Sequence, residues 1–392
     1  MPQLDLATLS TSWSYPTTVL YGAGALGKTA RACAQAGIER PLVVTDVGLA
    51  GLPMTAGLLD GLRGAGLRPG LFTEVRSNPV AGNVEAGVRA FKAGGHDGVV
   101  ALGGGSALDC GKVVAFMAGQ DRPLWDFEDV GDWWKRARPE GIAPVVAIPT
   151  TAGTGSEVGR AGVITDEATH TKKVIFHPGM MPKTAILDPV ATVGLSAKLT
   201  AATGMDALAH CIEAYCAPSW HPMAEGIAVE GVRLVRDALP RAVADGGDLD
   251  ARGRMLAAAA MGATAFQKGL GAIHSLSHPI GAVYDTHHGL TNAVVMPYVL
   301  AFNRSAIEPK IERLAAWLGI EGGFAAFLDW ILALRAELGV PHTLEALGVP
   351  ADRFGELAAM AVVDPTAGGN PVPLDVAGCE RLLADAYAGA GL

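Results

Sequence analysis

Hydrophobic positions follow two regimes along this chain. Up to about Asp188, short apolar runs alternate with longer segments of helical period. The runs at 18–21, 41–45, 98–102, 145–148 and 184–187 are bounded by Gly, Asp or Pro, several are rich in β-branched residues, and they predict strands. The segments 24–36, 52–65, 81–94 and 107–117 predict helices between them. Strands alternating with helices of this length imply a parallel sheet with helices on both faces. Strands buried on both sides read as unbroken apolar runs, as these do.

Beyond Asp188, Ala, Leu and Met dominate and period-two alternation disappears. Helical windows run over 200–216, 222–238, 250–268, 288–303, 307–317, 322–338 and 352–361. The expected architecture is an α/β, Rossmann-like domain over residues 1–190 and an all-α domain over 191–392. A length of 392 residues suits two domains of ~100–200 residues each. The cleft between two such domains is the usual place for a ligand.

Composition sharpens this picture. Hydrophobic residues make up 50% and charged residues 18%, the latter against a typical ~25%, so the chain can bury a large core and is not disordered. The net charge of −9 argues against a nucleic-acid partner. The densest basic cluster, Lys135, Arg136 and Arg138, is too short to act as an arm. No apolar run approaches a membrane span; the longest notable one, 255–266, fits a buried helix. The first residues do not read as a secretory signal. Five cysteines without CxxC spacing read as reduced thiols, which suits the cytoplasm.

Candidate chemistry begins with glycine, at 51 residues well above ordinary usage. Gly103, Gly104, Gly105 and Ser106 follow the strand at 98–102 and open a helix carrying Asp109. Strand, glycine turn and helix is the geometry that aims free N–H groups at a pyrophosphate. A second cluster, from Thr150, Thr151 and Thr154 to Ser156, follows the next strand. Two such loops at the carboxyl ends of parallel strands share one rim of the sheet and point to a dinucleotide. Gly22 to Gly27 spell GxGxxG, either as support for the adenosine half or as a helix start. Asp46 ends the run 42–45; a carboxylate there accepts from a ribose 2′-OH and repels a 2′-phosphate, favouring NAD over NADP.

Asp206 and His210 stand four apart on one helix face, with Glu213 close to that face. His274 and His278 repeat the spacing, and His287 and His288 follow. One Asp with two or three His makes a divalent site for Zn²⁺ or Fe²⁺. Spacing alone leaves open which of His274, His278, His287 and His288 are ligands.

At this point the chain resembles the iron-containing (group III) alcohol dehydrogenase family, from about Tyr15 into the C-terminal region. The resemblance is carried by GGGSALDCGK, PTTAGTGSE, DPVATVGLSAKLTAATGMDALAHCIEAY and HSLSHPIGAVYDTHHGLTNA, in that order. It implies a metal held by Asp206, His210, His274 and His288, with His278 unligated beside it as the candidate proton relay or an orienting partner. It implies NAD on Gly103, Gly104, Gly105 and Ser106 and on Thr150, Thr151, Thr154 and Ser156, with Asp46 setting coenzyme preference. The implied reaction is hydride transfer between an alcohol and nicotinamide, the metal polarising the substrate oxygen. The alternatives are a diol or glycerol dehydrogenase, or a reductase of an anionic substrate such as an ω-hydroxy acid or maleylacetate. Many relatives are dimers, and the strand 18–21 is a candidate for pairing across one. Two departures stand out. Ala265-Phe266-Gln267-Lys268 replaces the Phe-Ser-Asn of many relatives, and Lys268 would suit an anionic substrate if it faced the pocket. The Trp133-Trp134 segment is an unusual surface, dimer or substrate-bordering feature.

Overall fold

The computed structural model of the chain describes Tyr15, residues 18–169 and residues 171–392. It divides into two compact units, Pro16–Leu195 and one containing Ser196–Leu392. The change of pattern expected at about Asp188 comes shortly before that division.

In the first unit the strands are β1 (Thr18–Tyr21), β2 (Pro41–Asp46), β3 (Gly70–Val75), β4 (Gly98–Gly103), β5 (Val145–Pro149), β6 (Ala161–Asp166), β7 (Thr171–Phe176) and β8 (Thr184–Leu187). The helices are α1 (Thr29–Gln35), α2 (Val47–Ala50), α3 (Pro53–Gly64), α4 (Ala81–Ala93) and α5 (Gly105–Met117). Among the described residues six strands form one parallel sheet in the order β1-β8-β5-β4-β2-β3. Its central strands β4, β5 and β8 are buried along their whole length, whereas β1 at one edge is largely exposed.

Alternation along the strands builds two cores. Leu42, Val44, Val99, Ala101, Val145 and Ala147 pack beneath α4 and α5. Val43, Val100, Leu102, Val146, Ile148 and Ile186 pack against α1 and α3 on the other face. The chain leaves β2 outward to β3 and leaves β4 in the opposite direction to β5. The neighbouring carboxyl ends of β2 and β4 are therefore the topological switch point, where ligands of open α/β sheets bind.

Two pieces of this unit escape the sequence pattern. The edge strand β3 has only two buried positions, so its apolar signal is thin. The antiparallel hairpin β6–β7 contains Thr171, Lys172 and Lys173, which do not read as a strand core, yet it pairs from Ala161↔Phe176 to Asp166↔Thr171.

The second unit is helical. It comprises α6 (Ala197–Cys216), α7 (Pro222–Ala244), α8 (Leu249–Ala265), α9 (Ala272–Tyr284), α10 (His288–Trp317), α11 (Gly323–Glu337), α12 (Leu344–Leu347), α13 (Phe354–Val363) and α14 (Val376–Ala388). The windows 288–303 and 307–317 merge into the single helix α10, which absorbs Pro297 and Pro309. The gap between them, Arg304 to Ala306, is continuous helix with Arg304 and Ser305 exposed.

Helix α6 is the central element, buried over most of its length and packed against α7, α8 and α10. Ser196 starts it by accepting from the Leu199 N–H at 3.3 Å. Its carboxyl end is held by two buried ammonium groups. Lys268 Nζ donates to the carbonyls of Ala214 (3.0 Å), Tyr215 (3.1 Å) and Ala217, and Lys310 Nζ donates to Tyr215 O at 2.9 Å. Glu225 lies 3.2 Å from Lys268 and 2.6 Å from Lys310. Cations at a helix carboxyl end complement its macrodipole and satisfy carbonyls without intrahelical partners.

This corrects the expectation attached to Lys268. It serves neither an anionic substrate nor the surface, because its Nζ is spent on the end of α6. Replacing it by Met should destabilise the fold by roughly 3–5 kcal/mol, since Glu225 and the carbonyls lose a buried partner. Chemical denaturation measures this, and a change under about 1 kcal/mol would contradict the assignment.

Candidate metal and dinucleotide sites

The helical unit gathers Asp206, His210 and His274 within metal-ligand reach of one another and sets His288 against Asp206. Asp206 and His210 sit one turn apart on α6, His274 lies in the first turn of α9, and His288 opens α10. The Nε2 atoms of His210, His274 and His288 lie 3.8, 3.7 and 3.5 Å from Asp206 Oδ1. Ligand atoms of a tetrahedral ion with bonds near 2.1 Å stand about 3.4 Å apart, so this spacing suits a divalent cation. Asp206, His210 and His274 are buried, while the His288 side chain is 25% exposed, which leaves one side accessible.

The electrostatics point the same way. Burial opposes ionisation of Asp206, but the imidazoles of His210, His288 and His274 hold its carboxyl well below the usual carboxylate range. Burial also disfavours a charge on His274, yet the Glu213 and Asp206 carboxylates outweigh it and push its pKa up to about 10. Two buried carboxylates thus press for positive charge among three imidazoles. Asn292, one turn after His288, donates to Asp206 Oδ1 at 2.7 Å and fixes its direction.

His278 stands apart from this cluster. Its Nδ1 is 2.8 Å from Asp364 Oδ2, and its ring stacks on His288 with centroids 5.3 Å apart. Asp364 also accepts from Thr366 N (2.9 Å) and Thr366 Oγ (2.5 Å). Burial raises its pKa less than these donors and His278 lower it, so it remains a carboxylate. His287 is the N-cap residue of α10. Glu213 was visible only as lying near the metal face, and Asn292 and Asp364 gave no sequence signal. Both Asn292 and Asp364 meet their partners across 86 positions of chain.

In the first unit, β4 ends at Gly103, whose φ of +147° a side chain would strain, and α5 begins at Gly105. Gly104 caps α5 without a side chain, so no side-chain oxygen covers the first turn. The threonine loop lies directly against this turn. Thr150 N donates to Gly103 O at 3.0 Å. A Cβ on Gly104 would meet Thr151 at 3.3 Å, and one on Gly105 would meet Thr154 at 2.6 Å. Ser106, half-buried, is the second residue of α5. Asp46 ends β2, caps the short α2 by accepting from Leu49 N at 3.0 Å, and lies beside Gly103.

Asp109 and Ser156 do not face outward as the motif suggests. Asp109 accepts from Ser156 Oγ at 2.5 Å and from Val163 N at 3.0 Å. Lys112 is 3.2 Å from Asp109 and donates to the carbonyls of Ser156 (2.9 Å) and Ala161. These residues brace α5 against the threonine loop and the hairpin. The GxGxxG turn at 22–27 is also filled from within the protein, because Asp188 accepts from Gly24 N at 3.1 Å and Leu26 N at 2.9 Å. The Trp133-Trp134 segment packs in the same unit, with Trp134 edge-on to Phe176 and His177.

Comparison with known proteins matches the arrangement of both units. The family model described as iron-containing alcohol dehydrogenase matches residues 16–189, and that of the C-terminal part of the Fe-containing alcohol dehydrogenase family matches 200–387. The 4-hydroxybutyrate dehydrogenase of Cupriavidus necator is 39% identical over 94% of this chain and 98% of its own. The NAD-dependent methanol dehydrogenase of Bacillus methanolicus is 36% identical over 92% and 96%. A solved structure of 1,3-propanediol oxidoreductase superposes with a TM-score of 0.92 at 33% identity, covering 97% of this chain and 100% of that one. The chain belongs to the iron-containing alcohol dehydrogenase family and is an oxidoreductase acting on CH–OH donors.

The threonine loop carries one titrating group. Glu157, after Ser156, is buried, and its Oε1 has no hydrogen-bond partner among the described residues. Burial pushes its pKa from 4.5 to about 7, against the pull of Lys112. The folded state therefore holds this proton more tightly than the unfolded chain. That contribution is complete below pH 4.5 and is lost as the pH rises through about 7. Unfolding measured from pH 5 to 9 should show a loss of up to roughly 3 kcal/mol, which Glu157→Gln should largely remove. Identical profiles for the two proteins would refute this.

Proposed function

We propose that this chain interconverts a primary alcohol and its aldehyde with NAD⁺/NADH, using a divalent metal, Fe²⁺ or Zn²⁺, held by Asp206, His210, His274 and His288. The observation that carries the reading is the convergence of three imidazole Nε2 atoms on one buried carboxylate oxygen, at 3.5–3.8 Å. When bound, the ion acts as a Lewis acid on the substrate hydroxyl. Gly103, Gly104, Gly105 and Ser106, with Thr150, Thr151 and Thr154, receive the pyrophosphate at the unprotected start of α5. Asp46 accepts from the adenosine ribose and repels a 2′-phosphate, which selects NAD over NADP.

His278 moves the proton. Asp364 holds its Nδ1–H, so Nε2 is the free acceptor that takes the hydroxyl proton and passes it to water. NAD⁺ bound at the glycine turn would supply the hydride acceptor for the hydroxyl-bearing carbon, so that alcohol and NAD⁺ give aldehyde, NADH and a proton. The partly exposed His278 ring gives that proton a way out.

A second reading, oxidation of an ω-hydroxy acid or a diol, rests on relatives named for 4-hydroxybutyrate and 1,3-propanediol. For the hydroxy acid it requires a carboxylate partner other than Lys268. We further propose a cytoplasmic homodimer. Its five cysteines are buried and unpaired, no helix among the described residues is long and apolar enough to cross a membrane, and Val19 and Tyr21 stand exposed on the edge strand β1.

Metal analysis with an NAD-linked activity screen tests the proposal. His210→Ala and His288→Ala should lose metal and turnover together while keeping helical circular dichroism; turnover by metal-depleted variants would overturn the ligand set. Simple alcohols, 1,3-propanediol and 4-hydroxybutyrate, compared by absorbance at 340 nm, should rank with alcohols first by kcat/KM, and preference for the hydroxy acid would establish the second reading.

A further inference from the structure

Glu213 lies one turn beyond His210 on α6, and its side chain is 6% exposed. One carboxylate oxygen accepts from the Ile273 N–H at 2.8 Å; the other meets His274 Nδ1. Among the described residues His274 is its ion-pair partner. An Nδ1–H given to Glu213 fixes the tautomer of His274 and leaves Nε2 free to face Asp206.

Charge counting gives this contact a further meaning. Asp206 contributes one negative charge and three neutral imidazoles contribute none. A divalent ion among them leaves one net positive charge in a buried site. An uncompensated buried charge is costly, so it needs a partner inside the protein. Another carboxylate, Asp364, is engaged by His278. Lys268 and Lys310 are already engaged by Glu225 and the end of α6.

We infer that Glu213 is a positioning residue for the metal centre, which neutralises the divalent-loaded site through His274 and so sets how tightly the protein retains its ion. The inference rests on the ligand set proposed above. Glu213 also helps to cap α9, and that duty is separable. The neighbouring Ala272 N–H is capped by Asn370 Oδ1 at 3.0 Å, and Asn370 is held in turn by Asn303 at 2.8–2.9 Å.

The experiment is a titration of chelator-stripped full-length protein with Zn²⁺ against a chromophoric chelator. Glu213→Gln keeps an oxygen for the Ile273 N–H but removes the charge, and should weaken Zn²⁺ binding about 10–100-fold. Glu213→Asp keeps the charge at shorter reach and should fall between that variant and wild type. Asn370→Ala removes the other cap of α9; it should lower the Tm but keep the Zn²⁺ Kd within about twofold of wild type.

A Glu213→Gln protein that binds within about twofold of wild type overturns the inference, as does an Asn370→Ala loss of equal size. If Glu213→Gln does not fold, Glu213→Ala, which also removes the charge, decides on the same twofold criterion. Wild-type protein that binds no Zn²⁺, Fe²⁺ or Co²⁺ overturns the ligand set itself, a result distinguishable from both.

Discussion

The helical unit is organised by one carboxylate that cannot be left alone. Asp206 is buried, and its Oδ1 is shared by Asn292 and faced by imidazoles from three helices. That requirement dictates the packing around it. α6 must present Asp206, His210 and Glu213 on adjoining turns, and α10 must approach closely enough for His288 to reach them. Gly289 permits this approach, since a Cβ there would lie 2.3 Å from the Ala202 carbonyl oxygen. At its far end α6 is fixed by Lys268 and Lys310, so the ligand-bearing turns are held from both directions. A rigid helical frame is what a site of a few precise distances needs.

The sheet unit solves a different problem with backbone rather than charge. A pyrophosphate must be met by N–H groups that no side chain has already taken. The turn after β4, where we propose that the dinucleotide binds, offers such groups because three consecutive glycines leave no Cβ and no capping hydroxyl. The polar side chains nearby are turned inward, where Asp109, Lys112 and Ser156 tie α5 to the next loop. They contribute position rather than contact.

Much of this was legible in the sequence, and the exceptions share a cause. Local spacing revealed the glycine turn, the Asp206–His210 pair and the histidine cluster, because each lies within a few residues. It could not reveal Asn292 or Asp364, whose roles exist only through partners 86 positions away. Spacing also left His278 open, and its Nδ1 meets Asp364, far along the chain, rather than Asp206. The gap left between the two windows at 304–306 falls on Arg304 and Ser305, which α10 carries on its exposed side without interruption. Lys268 misled because a lysine in a sequence carries no mark of the carbonyls it will find.

The two glycine motifs show how such ambiguities resolve. GxGxxG at 22–27 has the more familiar spelling, and GGGS at 103–106 the weaker one. Both start helical turns, and both create a positive end suited to an anion. In the first, Asp188 already supplies the anion, with its carboxylate on Gly24 N and Leu26 N. A phosphate there would have to displace a buried aspartate and leave it facing another negative charge. In the second, Gly104 brings no oxygen, and the turn lies at the switch point beside Asp46. The free anion site is therefore the one whose cap is missing, and that property appears only when the carboxylate from 162 residues away is seen in the other.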